Sequence, residues 1–334
     1  MRYGLPYQGS KSKIADFVVA NLPKADTLVD LFCGGCAITH GALLSGKYNH
    51  IIINDLLPDI PQLFVDAING KYRNETRWIS RADFNRLKDT DAYVRLVWSY
   101  GNNQESYLYA KWVEPWKKAL HYARVMKREV ELTTMASTPN CLQPIGNHIE
   151  LVADTTLLKN MGIDSDGSRL DIKAHSDEYK QKYIEWYKRK YKKDCGDIGR
   201  MCDLQRIESL QSLQSIERIL TISTKDYREV AIPKGAVVYC DPPYRGTKGY
   251  ACRGARMKFD HDVFWQWAKE QDELLVISEY YAPDDFVCVA EIGRRSLFGT
   301  EKRGRVTEKL FVHQSKVDEY HKRMSQHGQQ RIDF

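Results

Sequence analysis

The sequence predicts a doubly wound α/β fold: a mostly parallel sheet of seven strands wrapped by helices, with one long, mainly helical segment inserted into it. Three observations lead there. Short apolar runs recur with helical patterns between most of them, as a parallel sheet requires. Several of these runs end at residues that cannot extend a strand but can meet a ligand. The rhythm breaks once, between about residues 56 and 217, and then resumes.

Taken in order, Thr27-Leu-Val-Asp-Leu-Phe32 runs into the pair Gly34-Gly35, and His50-Ile-Ile-Ile-Asn54 ends at Asp55. Ile219 to Ser223 precedes Asp226-Tyr227, and Ala236 to Cys240 runs into Asp241. Leu274 to Ser278, Phe286 to Ala290 and Lys309 to His313 complete the set. The interrupting segment is rich in Trp, Tyr, Lys and Arg and is mostly helical in pattern, as in "YLYAKWVEPWKKALHYARVMKREVE"; from about Thr138 to Ser176 its polar, Gly- and Asp-containing stretch reads as loops. The expected division is therefore one domain from 1–55 and 218–334, with 56–217 as a second domain set into it.

Bulk composition narrows the classes. A chain of 334 residues that is 43% hydrophobic, with a mean hydropathy of -0.53, is long and apolar enough to bury a full core. No run approaches the roughly 18 apolar residues of a membrane helix. The start, "MRYGLPYQGSKSK", lacks the apolar core of a signal peptide, so a cytoplasmic protein with reduced thiols is expected. Cys33-Gly34-Gly35-Cys36 has the spacing of half a zinc site, but no second half accompanies it, and no structural metal is expected.

The formal charge of +6 is mild, so its placement matters more than its sum. "EYKQKYIEWYKRKYKK", residues 178–193, interleaves Lys188, Arg189, Lys192 and Lys193 with Trp186, Tyr187 and Tyr191. Two readings stand: a solvated helix docking an aromatic stripe, or a surface facing nucleic-acid phosphates. The loop "RGTKGYACRGARMK", from Arg245 to Lys258, is a second candidate for such contacts.

Glycines at a strand-to-helix turn let a ligand approach the backbone, and an acid ending the next strand about twenty residues on can bind ribose hydroxyls. Gly34 and Asp55 have that offset. The loop has no G-x-G-x-x-G, so no pyrophosphate cradle is indicated. An adenosine cofactor without phosphate, S-adenosylmethionine, fits better. Asp226 and Tyr227, just past the third strand, would then meet its adenine.

In "VVYCDPPYRG" the strand Val237–Cys240 must stop, because neither Pro242 nor Pro243 can donate to a ladder. Asp241 and Tyr244 then emerge at its carboxyl end, where open α/β sheets bind ligands. The exocyclic amine of adenine is a poor nucleophile because its lone pair is delocalised into the ring. A carboxylate from Asp241 and the carbonyl of Pro242, accepting both its hydrogens, would localise that pair, while Tyr244 offers a ring face for stacking. A base in a duplex reaches such a pocket only by flipping out.

These motifs resemble the Dam-type DNA adenine-N6 methyltransferases, whose cofactor motifs precede the catalytic one. "YQGSK" is similar to the family's amino-terminal motif, which implies that Tyr7 and Lys11 lie at the cofactor. "FCGGC" stands where the family has Phe-x-Gly-x-Gly, bringing in Phe32 and Gly34; "NDLLPD" carries Asp55 and "KDY" carries Asp226 and Tyr227. "DPPY" is the catalytic motif, through Asp241, Pro242, Pro243 and Tyr244. The later stretches "FDHDVFWQWAK", "VISEYYAPDDF" and "RVTEKLFVH" are similar to phage and plasmid members. The resemblance implies a Rossmann-like methyltransferase sheet, S-adenosylmethionine as cofactor, DNA as partner, and a bacterial or phage-infected cell. By position alone, 56–217 resembles a target-recognition domain. Cys36 departs from the family by standing where its last loop glycine is usual. Cytosine-N4 or RNA methylation, or a DNA-binding protein on the same scaffold with weak catalysis, remain open alternatives at this level, and a restriction partner is not legible in the sequence.

Overall fold

In the computed structural model, which describes residues 2–109, 129–134, 141–145, 148–153, 170–171, 206–207, 209–245, 251–252, 255–256, 259–295, 305–326 and single positions from 111 to 121, the chain divides into two compact units. The first is Met1–Arg73 with Arg206–Phe334; the second is Asn74–Gln205. The segment 178–193 and most of the loop after Arg245 lie outside the described residues.

The first unit is built on β1 (Thr27–Asp30) and β2 (His50–Asn54). The second unit contributes β3 (Glu129–Thr134), β4 (Cys141–Ile145), β5 (His148–Ala153) and β6 (Leu170–Asp171). The chain returns to the first unit with β7 (Leu220–Ser223) and β8 (Val237–Cys240). A small two-stranded ribbon, β9 (Ala251–Cys252) and β10 (Ala255–Arg256), precedes β11 (Leu274–Glu279), β12 (Phe286–Arg295) and β13 (Arg305–His313).

Seven of these form one mixed, mostly parallel sheet in the order β12-β13-β11-β8-β1-β2-β7. Every expected apolar run is a strand in it. β11, β8, β1, β2 and β7 run parallel, whereas β13 enters antiparallel between β11 and β12. The central strands β1, β8 and β11 are buried along their whole length, the reason they read as continuous apolar runs. β12 is longer than its apolar core suggested, because it pairs with β13 as far as Arg295↔Arg305, and the edge of a sheet tolerates such polar residues.

Helices α1 (Ala15–Ala20), α2 (Ala37–Ser45), α3 (Asp59–Ile68), α6 (His261–Lys269) and α7 (Val317–Ser325) belong to this unit, with α4 (Arg81–Leu87) and α5 (Ala92–Val97) falling in the other. The 3-10 segment Leu210–Ile219 packs on α3. One face of the sheet closes over Val29, Leu31, Val238, Leu275 and Ile277 with Phe264, Trp265, Phe286 and Phe311, all of them buried. Asp260 caps α6, accepting the backbone N–H groups of Asp262 and Val263 at 3.1 Å.

Among its described residues the second unit holds both helices and strands. Its helices α4 and α5 are capped by Ser80 and Asp91. A four-stranded sheet in the order β4-β5-β3-β6 takes in 141–145, 148–153 and 170–171 of the stretch that reads as loop between 138 and 176. The strands are short and mix polar with apolar residues; β4 and β5 pair as neighbours through Ile145↔His148, whereas β3 takes its partners from β5 and β6 further along the chain, which local pattern does not reveal. Described aromatic residues of this unit form a core: Trp98 is fully buried, Trp78 stacks on Tyr109 at 5.8 Å, and His121 meets Trp78 edge-on.

Candidate functional site

The parallel strands all end on the same side, and the chain leaves β1 toward β2 on one flank and returns through β8 on the other. Such a reversal of strand order opens a crevice at the carboxyl ends. A cavity of about 400 Å³ lies there, lined from the first unit by Tyr7, Lys11, Phe32, Gly34, Asp55, Asp226, Tyr227, Asp241 and Pro243 among others. Pro242 and Tyr244 do not line it.

The strand ends are stitched together by Asn54. Its side-chain amide donates to the carbonyls of Leu31 and Lys225 at 3.1 Å, and its oxygen accepts the Lys225 N–H at 3.0 Å. Asn54 is 2% exposed, so these bonds are made out of water and hold the ends of β1, β2 and β7 in register. Asp55 follows, accepting the Gly34 N–H on Oδ2 and the Leu57 N–H on Oδ1, both at 2.9 Å. Burial raises its pKa, and these two backbone hydrogen bonds oppose the shift.

Beneath the loop, Tyr7 leaves no room for a side chain at Gly35: a Cβ there would stand 2.5 Å from the Tyr7 Cβ. Leu5 N–H donates to the Gly35 carbonyl at 2.7 Å, so the amino-terminal segment is laid directly on the loop. Cys36 then adopts a left-handed conformation, φ 56°, that favours glycine. Its side chain is fully buried with Sγ 3.7 Å from Cys33 Sγ, and Cys36 does not line the cavity. Burial pushes both thiols up, which makes them poor nucleophiles.

On the β7 side, Phe32, Tyr227 and Phe259 form an aromatic wall, with ring centroids 5.6 to 5.9 Å apart, backed by Phe264 and Trp267. Asp226 is paired with Arg228, whose Nε and guanidinium nitrogen lie 2.7 and 3.0 Å from its two oxygens; this pairing holds the Asp226 pKa below the usual carboxylate range. Nothing in the local pattern signals that Arg228 takes that carboxylate.

On the β8 side, Lys11 Nζ donates to Asp241 Oδ1 at 2.7 Å and lies 4.4 Å above the centre of the Tyr244 ring. Lys11 is 6% exposed and Asp241 19%. Burial raises the Asp241 pKa, Lys11 lowers it, and Glu308 raises it again. The Tyr244 ring is held edge-on against Tyr280 at 4.6 Å.

Three acids near the strand ends lie in stretches already legible in the sequence but had no role assigned there. Asp30 on β1 lines the cavity, is 1% exposed, and accepts the Thr39 hydroxyl at 2.6 Å and the Thr39 N–H at 3.2 Å, both on Oδ2. Its Oδ1 has no hydrogen-bond partner, and burial pushes its pKa up to about 7. Glu279, at the end of β11, is 3% exposed and also pushed by burial up to about 7. Glu308 on β13 is fully buried. The signal available for each was a carboxylate in, or at the end of, an apolar run. Among the described residues, no group of three or more His, Cys, Asp or Glu is placed to hold a metal ion, and no helix is long and apolar enough to cross a membrane.

No curated protein sequence matches the chain. Residues 7–138, less than half of its length, match the family model described as D12 class N6 adenine-specific DNA methyltransferase. The matched stretch carries Tyr7, Lys11, the glycine loop and Asp55, and ends well before Asp241. With the seven-stranded, mostly parallel sheet, this match supports the enzyme class to which the sequence motifs pointed, adenine-specific DNA methyltransferase of the Dam type.

Proposed function

We propose that the protein is a site-specific DNA methyltransferase that transfers a methyl group from S-adenosylmethionine to N6 of an adenine flipped out of duplex DNA, with the unit holding Asn74–Gln205 taking part in target recognition. One observation carries this reading above the others: the DPPY carboxylate, Asp241, faces the same cavity as the glycine loop and Asp55. A donor of methyl groups bound between the last two would bring its reactive end toward the first.

The residues fit such a cofactor. The unpartnered Asp30 Oδ1, buried on the cavity wall, suits the cationic amino-acid end; Asp55 suits the ribose; and the aromatic wall of Phe32, Tyr227 and Phe259 suits adenine. When bound, S-adenosylmethionine would supply a methyl group already activated by its sulfonium. The chain's own part is positioning. Asp241 accepts one hydrogen of the target amine, and the carbonyl of Pro242, held by the di-proline turn, accepts the other. On this reading the target amine takes the place that the Lys11 ammonium holds on Asp241 Oδ1. The raised Asp241 pKa makes this carboxylate a better acceptor for the proton that N6 sheds. Tyr244 presents its ring to the base, and flipping costs a few kcal/mol that contacts elsewhere must offset.

The test is methyl transfer from labelled S-adenosylmethionine to mixed-sequence duplex DNA, followed by nucleoside analysis. N6-methyladenine is expected from the wild type and none from a folded Asp241→Ala. N4-methylcytosine as product, transfer to RNA alone, or wild-type turnover in Asp241→Ala would each overturn the reading.

A further inference from the structure

Lys11, 6% exposed, is shared between two carboxylates: Asp241 Oδ1 at 2.7 Å and Glu308 Oε1 at 3.5 Å. Glu308 is fully buried and stands on β13, the strand inserted antiparallel beside β11. Its Oε1 also accepts the Ser278 hydroxyl at 2.7 Å and the Tyr244 hydroxyl. One carboxylate oxygen thus meets a strand-end serine, the tyrosine of the DPPY motif and the lysine that covers the catalytic aspartate.

Burying a carboxylate is costly unless its surroundings compensate, and a role only in packing would be met better by an apolar side chain, as at the neighbouring same-face positions Leu310 and Val312, both fully buried. The geometry explains why a charge is kept. When the target amine takes up Asp241, the Lys11 ammonium loses its nearest counter-charge in a place with little access to water. Glu308 Oε1 already lies within ion-pair distance of the ammonium, at 3.5 Å, so the ammonium can remain paired while Asp241 is released.

Resting on the function proposed above, we infer that Glu308 is a positioning residue for methyl transfer: it receives the Lys11 ammonium as Asp241 turns to the target amine. Without its charge, Lys11 stays on Asp241 and competes with the base. Glu308 itself touches neither substrate nor cofactor.

Glu308→Gln isolates this role, since the amide oxygen still accepts from Ser278 and Tyr244 while the charge is lost. The variant should melt cooperatively and bind S-adenosylmethionine within about twofold of wild type by calorimetry, yet its single-turnover transfer rate on duplex DNA should fall by about tenfold or more. In a Lys11→Met background, where no ammonium needs a second partner, the same exchange should change the rate by less than about twofold. If Lys11→Met is too slow to time, the cycle is read from 2-aminopurine brightening at the methylated position, mapped beforehand by sequencing. Three results would overturn the inference: a wild-type transfer rate in Glu308→Gln, a full loss that persists in the Lys11→Met background, or a Glu308→Gln chain that does not fold while the smaller, uncharged Glu308→Ala folds and transfers normally. Absence of transfer by the wild type would instead remove the proposed function, and this inference with it.

Discussion

Replacing Asp55 by Ala separates a ligand role from a structural one, because the structure shows how much of each the side chain carries. Its two oxygens accept the Gly34 and Leu57 N–H groups at 2.9 Å. Hydrogen bonds to a charged group contribute about 1.5–3 kcal/mol each, but both donors sit beside the cavity, where water can replace the carboxylate. A folding cost of about 1–2 kcal/mol follows, or a fall in Tm of about 2–8 °C for a domain this large. If the same carboxylate also holds the ribose, its loss removes one charge-assisted hydrogen bond, about 1–3 kcal/mol, and raises the Kd for S-adenosylmethionine by about 5- to 150-fold. DNA binding without cofactor should change little. Calorimetry with S-adenosylmethionine and with its 2′-deoxy analogue distinguishes direct contact from a disturbed loop. The wild type should bind the analogue more weakly than the parent compound, and Asp55→Ala should bind the two alike. Equal affinity of wild type and folded Asp55→Ala for the parent cofactor would refute the ribose assignment.

Asp30 makes stability depend on pH: its folded pKa of about 7 lies above the ordinary carboxylate value of 3.8, so the folded state holds the proton that the unfolded state loses. Its contribution is full below about pH 4 and is lost as pH rises through about 7, with a slope near 1.4 kcal/mol per unit and a total on the order of a few kcal/mol. Urea unfolding of wild type and Asp30→Asn at pH 5 and 8 should show the difference between them change by that order, whereas parallel pH dependences would show that Asp30 does not titrate there. Cys36→Gly should be tolerated and bind cofactor as well as or better than wild type, since relief of the left-handed backbone, about 1–2 kcal/mol, offsets the lost burial of a small side chain; a stability loss beyond about 2 kcal/mol would contradict this balance. Replacing Lys188, Arg189, Lys192 and Lys193 together by Ala should weaken DNA binding uniformly and reduce the slope of log K against log salt by up to about one unit for each phosphate no longer neutralised; an unchanged slope would return 178–193 to a solvated helix.

Strand positions were legible because β1, β8 and β11 are buried on both faces, and a doubly buried strand must be apolar throughout; a breaker, whether the glycine pair or the di-proline, then marks where it stops. Those same stops place Asp241 and, at the end of β2, Asp55 at the carboxyl edge, since parallel strands end together. The antiparallel entry of β13 between β11 and β12 could not be read this way, nor could the pairing of β3 with β5 and β6 in the second unit, because such pairing depends on partners further along the chain and leaves little mark on local pattern. The charges of the site were hidden for the same reason. Lys11 and Asp241 are 230 residues apart, and Tyr244 and Glu308 are 64 apart. An acid in an apolar run announces only that something must compensate its burial. Which lysine, hydroxyl or ligand does so is decided by the fold, because electrostatic partners are chosen by distance in space, and only the packed sheet sets those distances.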